Sequence, residues 1–178
     1  KDPRLCLLLS PLCSAWIGGA VEVDYLLMLR SPIEVVASLT AIHPVRPLDA
    51  LCLWIASVLH SERQTRHLPR RLISFPELLR KPQDVLYRCR NFLGASVDPI
   101  NDDPALTMID VSLHRHKALQ AREQVLSKFP HLEQLLDFAD LVHDAVMRVD
   151  QPNGMEQLDG LNQVWSWKRS ELLRLNVD

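Results

Sequence analysis

Arg30 and Ser38 are the two residues whose types and spacing point most directly at chemistry. Arg30 closes an apolar run, Val23-Asp24-Tyr25-Leu26-Leu27-Met28-Leu29-Arg30, and Ser31-Pro32 follows at once. Ser is a good helix N-cap and Pro suits the first helical position. Glu34, three residues after Ser31, completes a capping-box pattern. The segment therefore reads as a buried strand ending in Arg30, a sharp bend, and a helix that carries Ser38 two turns in. Ligands of open α/β sheets bind at the carboxyl ends of strands. A guanidinium there forks onto two oxygens of a phosphate, and a hydroxyl donates to a third. Singly, a strand-end Arg is an ordinary surface cation and a helix Ser an ordinary packing residue. The two together, joined by the Ser-Pro bend, carry the argument.

The surrounding elements alternate before they turn helical. Leu5-Cys6-Leu7-Leu8-Leu9 is a short, wholly apolar run, and Val23–Arg30 is a second. Continuous apolarity predicts strands covered on both faces, as in a parallel sheet. Between them lies a connection with Gly18-Gly19. A helix is predicted from Pro32 to about Ile42, ended before Pro44. A second runs from Pro47 to Thr65–His67, with Leu48, Leu51, Ile55, Val58 and Leu59 at helical spacing. Arg71-Leu72-Ile73-Ser74-Phe75 reads as a third strand, stopped by Pro76. A short helix Glu77–Arg80 and a longer one from Pro82 to Phe92 follow, the latter closed by Gly94. Ala95–Pro104 is a polar loop. Beyond it, helices are predicted at Ala118–Lys128, at His131 to about Val149, and at Met155–Leu175 after the turn Asp150–Gly154. The last carries Leu158, Leu161, Val164, Trp165, Leu172 and Leu175, and Trp167 lies off that stripe. The last two helices pair as a hairpin, packing on the body or on a partner.

Composition excludes several classes. The 178 residues are about one domain. With 20 Lys and Arg against 22 Asp and Glu, the formal charge is −2, and no basic stripe favours nucleic acid. At 47 % hydrophobic and 24 % charged the chain is neither disordered nor fibrous. The 12 Pro fall mostly where elements should end, and 5 Gly are few for a tight-turned β fold. No apolar run reaches the ~18 residues of a membrane span. Cys6, Cys13, Cys52 and Cys89 form no CxxC pair. They read as reduced thiols of a cytoplasmic protein. His114 and His116, two apart, do not face one way on a helix, and no third ligand has zinc spacing nearby, so no metal is expected. His43, beside Pro44, reads as a loop residue.

The Arg-Ser-Pro bend with a Ser eight residues after the Arg resembles the 3′-phosphate signature of the PAPS-dependent sulfotransferases. This family transfers a sulfonate from 3′-phosphoadenosine 5′-phosphosulfate (PAPS). Further phrases look similar. Arg71-Leu72-Ile73-Ser74-Phe75-Pro76-Glu77-Leu78-Leu79, then Pro82 and Asn91-Phe92-Leu93-Gly94, resembles the family's strand, Tyr-Glu-Asp-Leu-like turn and closing helix. Phe75 stands where Tyr is usual, and Pro76 where Glu is frequent. Lys1-Asp2-Pro3-Arg4-Leu5 looks like a phrase of bacterial members, and Ile109–His116 like their late His-bearing segment. These marks cover residues 1–117. The resemblance implies an α/β fold, a parallel sheet flanked by helices of P-loop NTPase-like sulfotransferase type, with residues 118–178 as a helical C-terminal extension.

It further implies that Arg30 and Ser38 bind the 3′-phosphate, that Phe75 flanks the adenine, and that Arg115 closes over the nucleotide. Lys1 would reach the sulfonate or bridging oxygen, and the base would be Asp2 beside it or a residue upstream of Lys1. The acceptor would be a hydroxyl or amine, for instance of a carbohydrate. The C-terminal helices are candidates for a contact between subunits. One departure is large. The family cradles the 5′-phosphosulfate in a Gly- or Ser/Thr-rich loop at a helix N-terminus. Gly18-Gly19 lacks the following basic and hydroxyl residues, so that loop is expected upstream of Lys1. The alternative is a catalytically inactive sulfotransferase-like binding or assembly module. A Mg²⁺-dependent phosphoryl transferase is disfavoured, because no acidic residue ends a strand.

Overall fold

Proline marks where several of the helices begin. In the computed structural model, which describes residues 22–95, 104–109 and 118–175, strand β1 (Tyr25–Leu29) leads into α1 (Pro32–Ile42) and α2 (Pro47–Thr65). Then come β2 (Arg70–Ser74), α3 (Phe75–Arg80), α4 (Pro82–Phe92) and α5 (Pro104–Thr107). The chain continues with α6 (Ala118–Lys128), a 3-10 turn at Pro130–Leu132, α7 (Glu133–Met147) and α8 (Gly154–Leu175). Pro32, Pro47, Pro76, Pro82 and Pro130 occupy the first or second position of their helices. These prolines start elements rather than end them. The missing N–H costs nothing in a first turn, where it would have no intrahelical acceptor, and the fixed φ already suits a helix.

The helix ends follow local chemistry. Gly94 sits at φ 64°, and α4 closes with Gly94 N–H donating to Asn91 O (3.3 Å) and Ala95 N–H to Arg90 O (3.0 Å). That paired closure requires a left-handed residue, which glycine adopts without Cβ strain. The expected capping box at α1 does not form: the Ser31 hydroxyl makes no cap hydrogen bond. The Glu34 carboxylate instead accepts from Arg30 Nε at 3.0 Å. The strand expected at Arg71–Phe75 is one residue earlier, because Phe75 already belongs to α3. Ser74 caps that helix, accepting from Glu77 N–H at 3.4 Å.

β1 and β2 are parallel, in the register Leu27↔Leu72 and Leu29↔Ser74, with α1 and α2 as the crossover. They form the two-stranded sheet of the described residues. Leu29 and Leu72 face the main core, which also holds Ile33 and Val36 of α1 and Leu51, Ile55 and Leu59 of α2. Leu136, Ala139, Val142 and Val146 of α7, with Leu158 and Trp165 of α8, complete it. The C-terminal hairpin therefore packs on the body. On the other face, Ile73 packs with Val85 and Cys89 of α4. Helices thus lie on both faces, but α4 shelters β2 and not β1: Leu26 and Met28 remain 41 % and 42 % exposed. The expected double covering of β1 is absent among the described residues. Val164, placed in the apolar stripe of α8, is 42 % exposed, while Trp165 beside it is buried. The chain is mostly helical with a small parallel sheet. Among the described residues no helix is long and apolar enough to cross a membrane.

Candidate anion site at the end of the first strand

The parallel register brings two of the singled-out residues together. Leu29↔Ser74 is the last pair of the ladder, so the next residue on each chain, Arg30 and Phe75, leaves the same edge of the sheet. The Arg30 guanidinium carbon lies 4.7 Å from the centroid of the Phe75 ring. The ring face attracts the cation and shields one side of it. The Arg30 side chain stays 22 % exposed.

α1 sets the second half of the arrangement. Arg30, Glu34 and Ser38 are spaced by four residues, and Glu34 and Ser38 share one face of the helix, about 6 Å apart along its axis. Arg30 reaches along this face to Glu34, whose side chain is 5 % exposed. Ser38, half-buried, lies one turn further on. Among the described residues no hydrogen bond joins Arg30 to Ser38, and Glu34 is the group between them. Binding through Nε leaves the Nη edge of the guanidinium to be offered elsewhere. The Arg30 cation and the positive end of α1 at the carboxyl end of a strand suit an oxyanion, whereas the Ser38 hydroxyl lies in the second turn of α1 and the Glu34 carboxylate between it and Arg30 opposes one.

The backbone at the bend is held from below. Trp54 of α2, 6 % exposed, donates its indole N–H to the Arg30 carbonyl at 3.2 Å. Its ring stacks with that of His143 from α7, centroids 6.4 Å apart and planes 29° apart. Sequence reasoning missed both contributions. Trp54 lies between Leu51 and Ile55 on an apolar helix, and nothing in its spacing singles it out from those neighbours. The Arg30–Glu34 spacing of four carried a signal for an ion pair, but the capping-box reading claimed Glu34 first.

The start of β2 is fixed by a second cluster. Glu62, 1 % exposed, accepts from Arg66 Nε (3.0 Å) and Nη2 (2.8 Å) and from Arg70 Nη2 (3.2 Å). Arg70 Nη1 also donates to the Glu62 carbonyl at 2.7 Å, and Arg66 Nη1 to Asp159 of α8 at 2.7 Å. Because Arg70 opens β2, this cluster ties the strand to the end of α2 and to α8. The Arg66 guanidinium titrates well above its ordinary range, chiefly because of the hydrogen bonds it donates to Glu62, against the cost of burial. Near the exit of β2, Arg88 of α4 pairs with Glu77 at 2.5 Å.

The remaining expectations divide by location. Lys1, Asp2, His114, Arg115 and His116 lie outside the described residues, as do Leu5–Leu9, Gly18-Gly19, Cys6 and Cys13. His43 is exposed at the end of α1 and takes no part in the Arg30 arrangement. Among the described residues no three His, Cys, Asp or Glu side chains are grouped to hold a metal ion. Burial pushes the thiols of Cys52 and Cys89 up from their usual range, which keeps them protonated and poorly nucleophilic. No family model, curated protein or solved structure matches the chain.

Proposed function

We propose that the chain is the greater part of a PAPS-dependent sulfotransferase with a P-loop NTPase-like sulfotransferase fold, and that Arg30 and Ser38 bind the donor's 3′-phosphate. The observation that carries the reading is the placement of Arg30: at the carboxyl end of β1, against Phe75, and reaching along the Ser38 face of α1. The residues present fit a phosphate oxyanion. Arg30 supplies charge and fixed donors, Ser38 a hydroxyl further along α1, and Phe75, against the Arg30 guanidinium, a flat apolar surface that suits a purine. The resemblance assigns Lys1 and Asp2 to the sulfonate end and Arg115 to closure over the nucleotide. The reaction is in-line displacement at sulfur. The acceptor hydroxyl or amine loses its proton to a base and bonds to sulfur, while the bond from sulfur to the 5′-phosphate oxygen breaks. A carbohydrate or other small alcohol is the acceptor class.

Glu34 favours a second reading. A nearly buried carboxylate already neutralises Arg30, as a structural ion pair would in a catalytically inactive relative serving as a binding or assembly module. Calorimetric titration with 3′,5′-adenosine bisphosphate separates the two. For the enzyme, Arg30→Ala weakens binding by about 2–3 kcal/mol, the scale of a charge-assisted phosphate contact. Equal binding by wild type and variant removes Arg30 from the site and leaves the scaffold reading.

A further inference from the structure

The Arg30 carbonyl falls between two hydrogen-bonding patterns. The β1–β2 ladder ends at Leu29, and at the head of α1 the Val35 N–H already turns back to Ser31 O at 3.2 Å. A carbonyl at such a bend needs a partner of its own, because an unpaired buried acceptor is costly. The partner is the Trp54 indole N–H, 24 residues further along the chain. Trp54 is itself set in the main core and braced on its ring by His143 of α7. A continuous path of packed groups therefore runs from the C-terminal helical hairpin to the residue whose guanidinium leaves the sheet edge.

We infer that Trp54 and His143 are positioning residues for the Arg30 anion site, so that the C-terminal hairpin is part of that site's support and not an appendage. Trp54 fixes where the backbone turns from β1 into α1, and hence where the Arg30 side chain departs. His143 fixes the tilt of the indole ring. Neither touches the anion. The inference rests on the reading of Arg30 as an oxyanion ligand and names what holds that ligand in place.

Two variants and two nucleotides test it in the 178-residue chain. Trp54→Phe keeps an aromatic ring in the core and removes the N–H. His143→Leu keeps bulk against the indole and removes the stacked imidazole. Each is titrated with 3′,5′-adenosine bisphosphate and with adenosine 5′-monophosphate, which lacks the 3′-phosphate. Amide hydrogen exchange is followed over residues 31–36. Trp54→Phe is expected to weaken bisphosphate binding about fivefold, the worth of one net hydrogen bond, to leave monophosphate binding within about twofold, and to speed exchange at the bend. His143→Leu moves both readouts the same way by less. A merely structural role lowers the affinity for both nucleotides together, and that result overturns the inference. Wild-type bisphosphate affinity in Trp54→Phe, with Arg30→Ala defective, also overturns it while leaving the anion site standing. An unaltered Arg30→Ala overturns the anion site and this inference with it. Should Trp54→Phe fail to fold, His143→Leu gives the same discrimination.

Discussion

Replacing Glu62 by Gln exchanges one oxygen for an NH2 group and removes the negative charge that two guanidinium groups share. The side chain is 1 % exposed, and those of Arg66 and Arg70 are each 11 % exposed, so water does little to screen the loss. In the native protein Glu62 accepts three side-chain hydrogen bonds from these arginines. An amide in its place accepts on one oxygen and turns its own N–H donors toward the other. Breaking a buried ion pair by removing one partner costs about 3–5 kcal/mol, because the remaining charge is left uncompensated. Asp159 still holds one edge of Arg66, which places the expected loss near the lower end, about 3 kcal/mol. For 178 residues the unfolding entropy is about 0.4 kcal/mol per degree, so Tm should fall by about 8 °C. Asp159→Asn is the matched control. That carboxylate is 57 % exposed, and loss of an exposed pair costs less than about 1 kcal/mol. Urea unfolding followed by circular dichroism gives both values. A Glu62→Gln loss no greater than that of Asp159→Asn would refute the claim that the cluster clamps the start of β2.

Two glycines of the C-terminal hairpin should respond in opposite directions. A Cβ at Gly154 would meet Val149 O at 2.6 Å and Arg148 O at 2.7 Å, so Gly154→Ala should cost on the order of 1–3 kcal/mol through forced backbone movement. Gly160, inside α8, has nothing within 4 Å of such a Cβ. Gly160→Ala should therefore stabilise by about 0.5–1 kcal/mol; equal denaturant midpoints for the two variants would contradict this. Cys52 and Cys89 should resist alkylation in the native state. A raised thiol pKa leaves less thiolate at any pH below it, so labelling at pH 8, read site by site by mass spectrometry, should be slow until denaturant is added.

Local chemistry made much of the element pattern legible in advance. Each of α1, α2, α4 and α6 follows its bounding Pro or Gly, and α2 its apolar spacing as well, because those signals act within one or two turns of the chain. Where two local readings competed, the sequence left the choice open. Glu34 fits both a capping box and an ion pair at a spacing of four, and only the path of Arg30 over Phe75 decided for the pair. That Arg30 and Ser38 suit a phosphate was readable from their types and spacing, whereas a place for Phe75 beside a nucleotide is only what the resemblance implies. That Arg30 and Phe75, 45 positions apart, share one sheet edge was not.

Signals along the chain specified the longer helices, the two described strands to within a residue or two, and the bend after Arg30, but not the short helix α5, which begins at the end of the expected loop. Only the assembled fold shows that α4 shelters β2 but not β1, and that Trp54, set in the core, also holds the Arg30 carbonyl. The reason is physical. Propensity and capping are energies of neighbours along the chain, whereas burial, register and the partner of a bend carbonyl depend on which distant segments arrive beside them.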